Sequence, residues 1–591
     1  DVNNKAITLD NLVSTGNVIL ATQGTTGHAT IDNTTTALGV QGTVNGNLAL
    51  TSGAAITDSG TLTVSGTTTA TTDVADQAIT LGTLVSTGNV ILSTAGTAGH
   101  VTIDNGTTAL GVQGTVNGNL GLTSGEAITD SATLTVSGTT TVTTDVNNKA
   151  ITLDTLASTG NVILTTQGTT AHATIDNTTT ALGVQGTVNG NLALTSGEAI
   201  TDSATLTVSG TTTATTDVNN KAITLDNLVS TGNVILATQG TTGHATIDNT
   251  TTALGVQGTV NGNLALTSGA AITDSATLTV SGTTAVTTDV ADQAITLGTL
   301  ASTGAVTIST AGTTGHVTLV NATGLALQGT ASGNLSATAT TGDISDSGAL
   351  TVTGTSAFIT AADGSNIILD HASNAFTGQV SLKADTGGSE NFGNITFVDD
   401  SAVKLDANAD AAGDLFIDAA TDGAVGGNLV VTATTGNITQ GVALAVTGTS
   451  TLTTSATDAT VTLGTTTNAL GGNVILSTAG TAGHVTIDNG TTALGVQGTV
   501  NGNLGLTSGE AITDSATLTV SGTTTATTDV NNKAITLDNL VSTGNVILTT
   551  QGTTGHATID NTTTALGVQG TVNGNLALTS GAAITDSGTL T

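Results

Sequence analysis

Seven of the eight histidines stand at one position of a repeating pattern: His28, His100, His172, His244, His316, His484 and His556, with His371 apart. Imidazole at regular intervals is what a metal centre or a proton relay would use. The spacing argues against both. Consecutive copies are mostly 72 residues apart. At about three stacked rungs per repeat they lie roughly 14 Å apart, whereas zinc needs its ligands about 2 Å from one ion. Within one unit His28, Thr30 and Asp32 alternate onto the same face, where an exposed polar column is expected.

A second candidate is Asp406-Ala407-Asn408-Ala409-Asp410, which begins like a calcium loop with oxygen donors at alternate positions. An EF-hand then needs Gly at the sixth place and Glu at the twelfth; Ala411 and Ile417 stand there, with Asp414 and Asp418 nearby. A solvated acidic loop without a cofactor is expected, and calcium near Asp406, Asn408, Asp410 and Asp414 is the alternative. The Gly-Gly-x-Gly-x-Asp nonapeptide of calcium-binding β-rolls is missing.

Catalysis finds little support. Polysaccharide cleavage on a β-helix needs clustered carboxylates or a basic residue in a groove. This chain has no Arg, six scattered Lys, and acidic residues that recur singly. It is expected not to be an enzyme, and no catalytic, cofactor-binding or metal residue is assigned. The Thr67-Thr68-Thr69 and Thr71-Thr72 tracts recur once per 72 residues, too sparsely to order water in ranks. The sequons at Asn33, Asn105, Asn249 and Asn489 carry glycan only in a glycosylating host and otherwise read as turn residues.

The elements that would position these side chains follow from repetition. Residues 1–72 and 217–288 differ only at Gly60/Ala276, Thr69/Ala285 and Ala70/Val286. Internal repetition of this kind outranks other signals in setting architecture. Inside a unit the period is two: Ile7/Leu9, Val18/Leu20, Ala29/Ile31, Leu38/Val40, Leu48/Leu50 and Leu62/Val64 alternate with polar residues. Turn tokens such as Thr15-Gly16-Asn17 and Asn45-Gly46-Asn47 separate them, and no 3.6-residue period occurs.

The expected fold is all-β, a right-handed parallel β-helix (solenoid) of 72-residue repeats with about three rungs each. Three strands per rung give rungs of about 24 residues, and four rungs of 18 are the alternative; either way the chain makes a rod about 120 Å long. The motif at Asp289 next returns intact at Asp529, 240 residues on, which reads as three repeats plus one rung. An antiparallel sandwich is the rival, and it accommodates near-identical tandem units poorly. Disorder fails on the schedule of β-branched residues and on the absence of Pro.

Composition narrows the function classes. Net charge is −35 with six basic residues, which argues against nucleic acid and anionic lipid. No apolar run approaches the roughly 18 residues of a membrane span. Without Cys there is no disulfide framework. Residues 1–316 form a regular array, 317–471 a diverged stretch with all five Phe (358, 376, 392, 397, 416), and 472–591 a regular array again. The diverged stretch is either an older repeat that has drifted or a specialised surface. Ending mid-pattern, the chain is expected to be a fragment of a longer polypeptide whose caps lie outside it.

Gly46-Asn47-Leu48-Ala49-Leu50-Thr51, Ala55-Ile56-Thr57-Asp58 and Leu62-Thr63-Val64-Ser65-Gly66 resemble the repeats of filamentous-haemagglutinin-type, two-partner-secretion exoproteins. Gly427-Asn428-Leu429-Val430-Val431-Thr432 through Asn437-Ile438-Thr439-Gln440 resembles them more closely still. The resemblance implies a secreted bacterial β-helix at the cell surface. The expected role is a structural filament, stalk or fibre that associates with copies of itself. The alternative is the shaft of a large adhesin attaching to host or neighbouring cells.

Overall fold

The computed structural model describes residues 3–384, 393–406, 414–417, 425–561 and 563–591; for Asp406 and 414–417 it describes the backbone alone. Strands account for all the regular structure of the described residues, without a helix. The chain divides into two compact units, Asp1–Asp289 and Val290–Thr591, and each is a parallel β-solenoid.

The first repeat carries seven strands. These are β1 (Ile7–Leu12), β2 (Asn17–Ala21), β3 (Ala29–Asn33), β4 (Leu38–Val44), β5 (Leu48–Ser52), β6 (Ile56–Val64) and β7 (Thr68–Ala75). β1, β3, β5 and β7 stack on one another in parallel, as do β2, β4 and β6 in a second sheet. One turn of the solenoid is therefore two strands and two corners, not the three strands expected. Ile7 pairs with Ala29, Ala29 with Leu48 and Leu48 with Thr68, so turns are shorter than 24 residues.

Seven is odd, and that has a structural consequence. Each 72-residue repeat winds three and a half turns, refining the expected three, and successive repeats start on opposite sheets. The next copy of β3, Val101–Asp104, lies in the sheet of β2, β4 and β6; the one after, Ala173–Asn177, returns to the sheet of β3.

Alternation explains the interior. Along β3 and β5 the even-numbered face is solvent-side while Ala29, Ile31, Leu48 and Leu50 are at most 1% exposed. Only two thin sheets need filling, so Val, Ile, Leu and Ala suffice. In the diverged stretch the turns lengthen: Ile367 pairs with Ile395, and Ile395 with Leu429. There Phe358, Phe376 and Phe397 fill the core, with ring centroids 5.9 and 5.4 Å apart. Phe392 lies outside the described residues.

The 240-residue interval does not contain an added rung. Among the described residues, 361–456 repeats the seven alternating strand positions of a regular unit. It adds one strand, Asp414–Ile417, set between Val380–Lys383 and Val403–Asp406 on one sheet alone. The extra residues lengthen corners, which a solenoid tolerates because corners face solvent.

Candidate functional site

The edges of the sheets carry the histidines. His28 sits one residue before β3, and its Nδ1 accepts the Asn47 N–H at 2.8 Å from the next turn. The Asn47 side-chain oxygen in turn accepts the Thr67 N–H at 3.1 Å. His100, His172, His244, His316, His484 and His556 repeat the bond at 2.8–2.9 Å. Because Nδ1 is an acceptor, the neutral ring must carry its proton on Nε2. A metal-ligating histidine instead donates from its second nitrogen, so these rings are built as corner staples. Successive copies lie on opposite edges, so the single polar column expected from the sequence becomes two, each with seven-turn spacing. His371 is different: its Nδ1 accepts the Ser373 N–H within its own turn.

Asn33 closes β3 from inside. Its side chain is fully buried; Oδ1 accepts the Ser14 N–H, and Nδ2 donates to the carbonyls of Ser14, Thr36 and Ala37. Asn105, Asn249 and Asn489 are equally buried. The sequons are thus structural clamps, with the amide nitrogen a glycan would use already spent on carbonyl oxygens.

A third position joins one repeat to the next. Asp58 in β6 accepts the N–H groups of Gly82 and Thr83, with a further bond from the Thr83 hydroxyl. Asp130, Asp202 and Asp514 do the same for Asp154/Thr155, Asp226/Asn227 and Asp538/Asn539 at 2.8–2.9 Å. These three are more deeply placed, at 9%, 6% and 5% exposure. Burial, ahead of the opposing backbone bonds, raises the Asp130 carboxyl and pushes Asp202 and Asp514 to about 6. Lys149–Glu126, Lys221–Glu198 and Lys533–Glu510 ion pairs at 2.6–2.7 Å accompany the same three joints.

Sequence reasoning missed these joints, although a signal exists. Where the second repeat of a joint has Asp and Lys (Asp154, Lys149), the first has Glu126; where it has Gly82 and Gln77, the first has Ala54.

Outward positions form columns through register. Asp32, Thr51, Thr71, Ser93, Thr115 and Thr135 follow one another on six turns of one face. Asp104, Thr123, Thr143, Thr165, Thr187 and Thr207 do so on the other. Tracts that look sparse in sequence are filled by threonines from other repeat positions, while Thr68 and Thr72 turn inward. Open grooves follow the edges, one of about 490 Å³ past His484, Asn503, Thr523 and Thr525.

Of the calcium alternative, Asn408 and Asp410 lie outside the described residues, and Asp406 and Asp414 are placed by backbone only. Among the described residues no three His, Asp or Glu converge as a metal site. No helix of the described residues is long and apolar enough to cross a membrane.

A family model for repeats of unknown function (DUF5649) matches residues 26–93, 98–170, 168–237, 242–309, 314–383, 393–477 and 482–552. The chain belongs to that family. Most DUF5649 matches begin at the corner just before the histidine staple, and the diverged stretch is matched as fully as the regular arrays. A DUF5649 repeat, as this chain folds it, is therefore three and a half solenoid turns. No curated protein and no solved structure matches the chain.

Proposed function

We propose that this DUF5649 chain is a structural component of a bacterial extracellular filament, stalk or surface fibre, with no enzymatic activity and no cofactor. The observation that carries this reading is how the reactive groups are used. Imidazole, amide and carboxylate acceptors at the repeat positions are bound to backbone N–H groups of the adjoining turn. Side chains committed in this way stiffen the backbone and are withdrawn from catalysis. Stacked parallel ladders give resistance to bending, repeat number sets length, and threonine columns keep the faces hydrated. Association with further copies of itself at the cell surface fits the secretion-type resemblance of its motifs.

The second reading is the shaft of a large adhesin, favoured by the hydroxyl columns on both faces. Cryo-electron microscopy of the native material separates them. The fibre reading expects slender polymers with an axial spacing of about 4.8 Å. Single-chain shafts ending in a distinct binding domain would transfer the protein to the adhesin class. Dispersed protein with neither fibres nor surface attachment would overturn both.

A further inference from the structure

Two kinds of joint alternate along the chain. In the neutral kind, Asp58 meets Gly82, and Ala54 and Gln77 stand nearby in the pattern. In the acidic kind, each buried carboxylate faces a second aspartate on the bulge it caps. Register places a third on the following turn. Asp130 is followed by Asp154 and Asp176, Asp202 by Asp226 and Asp248, and Asp514 by Asp538 and Asp560.

Turns are about 4.8 Å apart, so like charges stack at close quarters where ionising all of them is unfavourable. Asp217 and Asp289 add repulsion at Asp176 and Asp248, whose own carboxyls burial already raises. One oxygen of each, Asp176 Oδ1 and Asp248 Oδ1, is buried without a hydrogen-bond partner. The lysines of these joints, Lys149, Lys221 and Lys533, are engaged by Glu126, Glu198 and Glu510.

We propose that the carboxylate pairs Asp130/Asp154, Asp202/Asp226 and Asp514/Asp538 are acid-responsive joints: each takes up a shared proton in mildly acidic surroundings and tightens the solenoid there. The proton lies between two carboxyl groups, so it belongs to the pair and not to either residue. Asp202 and Asp514 stand at about 6 in the folded chain, against an ordinary value of 3.8. The folded chain therefore binds protons that the unfolded chain releases. Stability contributed by the joints is complete below about pH 4 and is lost as pH rises through about 6.

The test compares the full chain with the triple variant Asp154→Asn, Asp226→Asn, Asp538→Asn. Potentiometric titration should show the native chain binding about three more protons than the variant between pH 7 and pH 5. Its thermal midpoint should rise over the same interval more than the variant's does. Equal proton uptake, or an equal rise in midpoint, would overturn the proposal. Gly82→Asp, which converts the neutral joint, should add about one proton over the same interval; no gain from a folded variant would also count against it. Should the triple variant fold poorly, the Gly82→Asp result decides alone.

Discussion

Asn177 shows what a single side chain contributes. Its Oδ1 accepts the Ser158 N–H at 2.8 Å, and its Nδ2 donates to the carbonyls of Ser158, Thr180 and Ala181 at 3.0–3.1 Å. Truncation leaves these buried groups unpaired, at a cost of about 1–3 kcal/mol. Asn177→Ala should therefore speed hydrogen exchange at Ser158 and its neighbours roughly 5- to 150-fold, with distant repeats unaffected. The sequence identified this residue type as a turn former. Its burial was not legible, because its partner is 19 residues away and becomes a neighbour only once the turn closes. The same holds for His172: its position is obvious in the sequence, but its role as acceptor for Asn191 depends on the next turn.

At the scale of the strand, the four-residue excursion opposite Gly186 matters most. Gly186 has φ +113°, and a Cβ there would lie 2.1 Å from the Leu164 carbonyl oxygen. Val184 pairs with Asp202 but Gly186 with Leu206, so the partner strand bulges out over Ser203–Thr205. The bulge sets Asp202 to reach the following turn. Gly186→Ala should cost about 2 kcal/mol or more, combining strain and collision. The loss should be visible as a lowered denaturant midpoint in a fragment-free full chain, with protection lost first around 182–208. Alternation in the sequence located the strand itself. The kink was hidden, since the local pattern Leu-Gly-Val-Gln-Gly-Thr-Val keeps its apolar period across it.

For the whole repeat, the odd strand number predicts the result of an excision. Thr30 and Thr246 are exposed equivalents on opposite sheets. Removing residues 145–216 deletes three and a half turns and brings position 246 onto the sheet of position 30. Spin labels at Thr30→Cys and Thr246→Cys should approach by about 17 Å of axial rise and finish on one face. An excision by a whole number of turns would shorten the separation without changing face, and that outcome would refute the half-turn winding.

The sequence by itself determined that this is a parallel stack of short strands. Near-identical tandem units with period-two alternation, small aliphatics and no Pro leave few other ways to satisfy the backbone. It also located the diverged stretch. Only the tertiary structure decided that a turn holds two strands, that a repeat winds three and a half turns, and that Asp130 therefore meets Asp154. The reason is physical: rung closure depends on how corner lengths and bulges bring residues 18 to 25 positions apart into register. Local periodicity is the same for two strands per turn as for three.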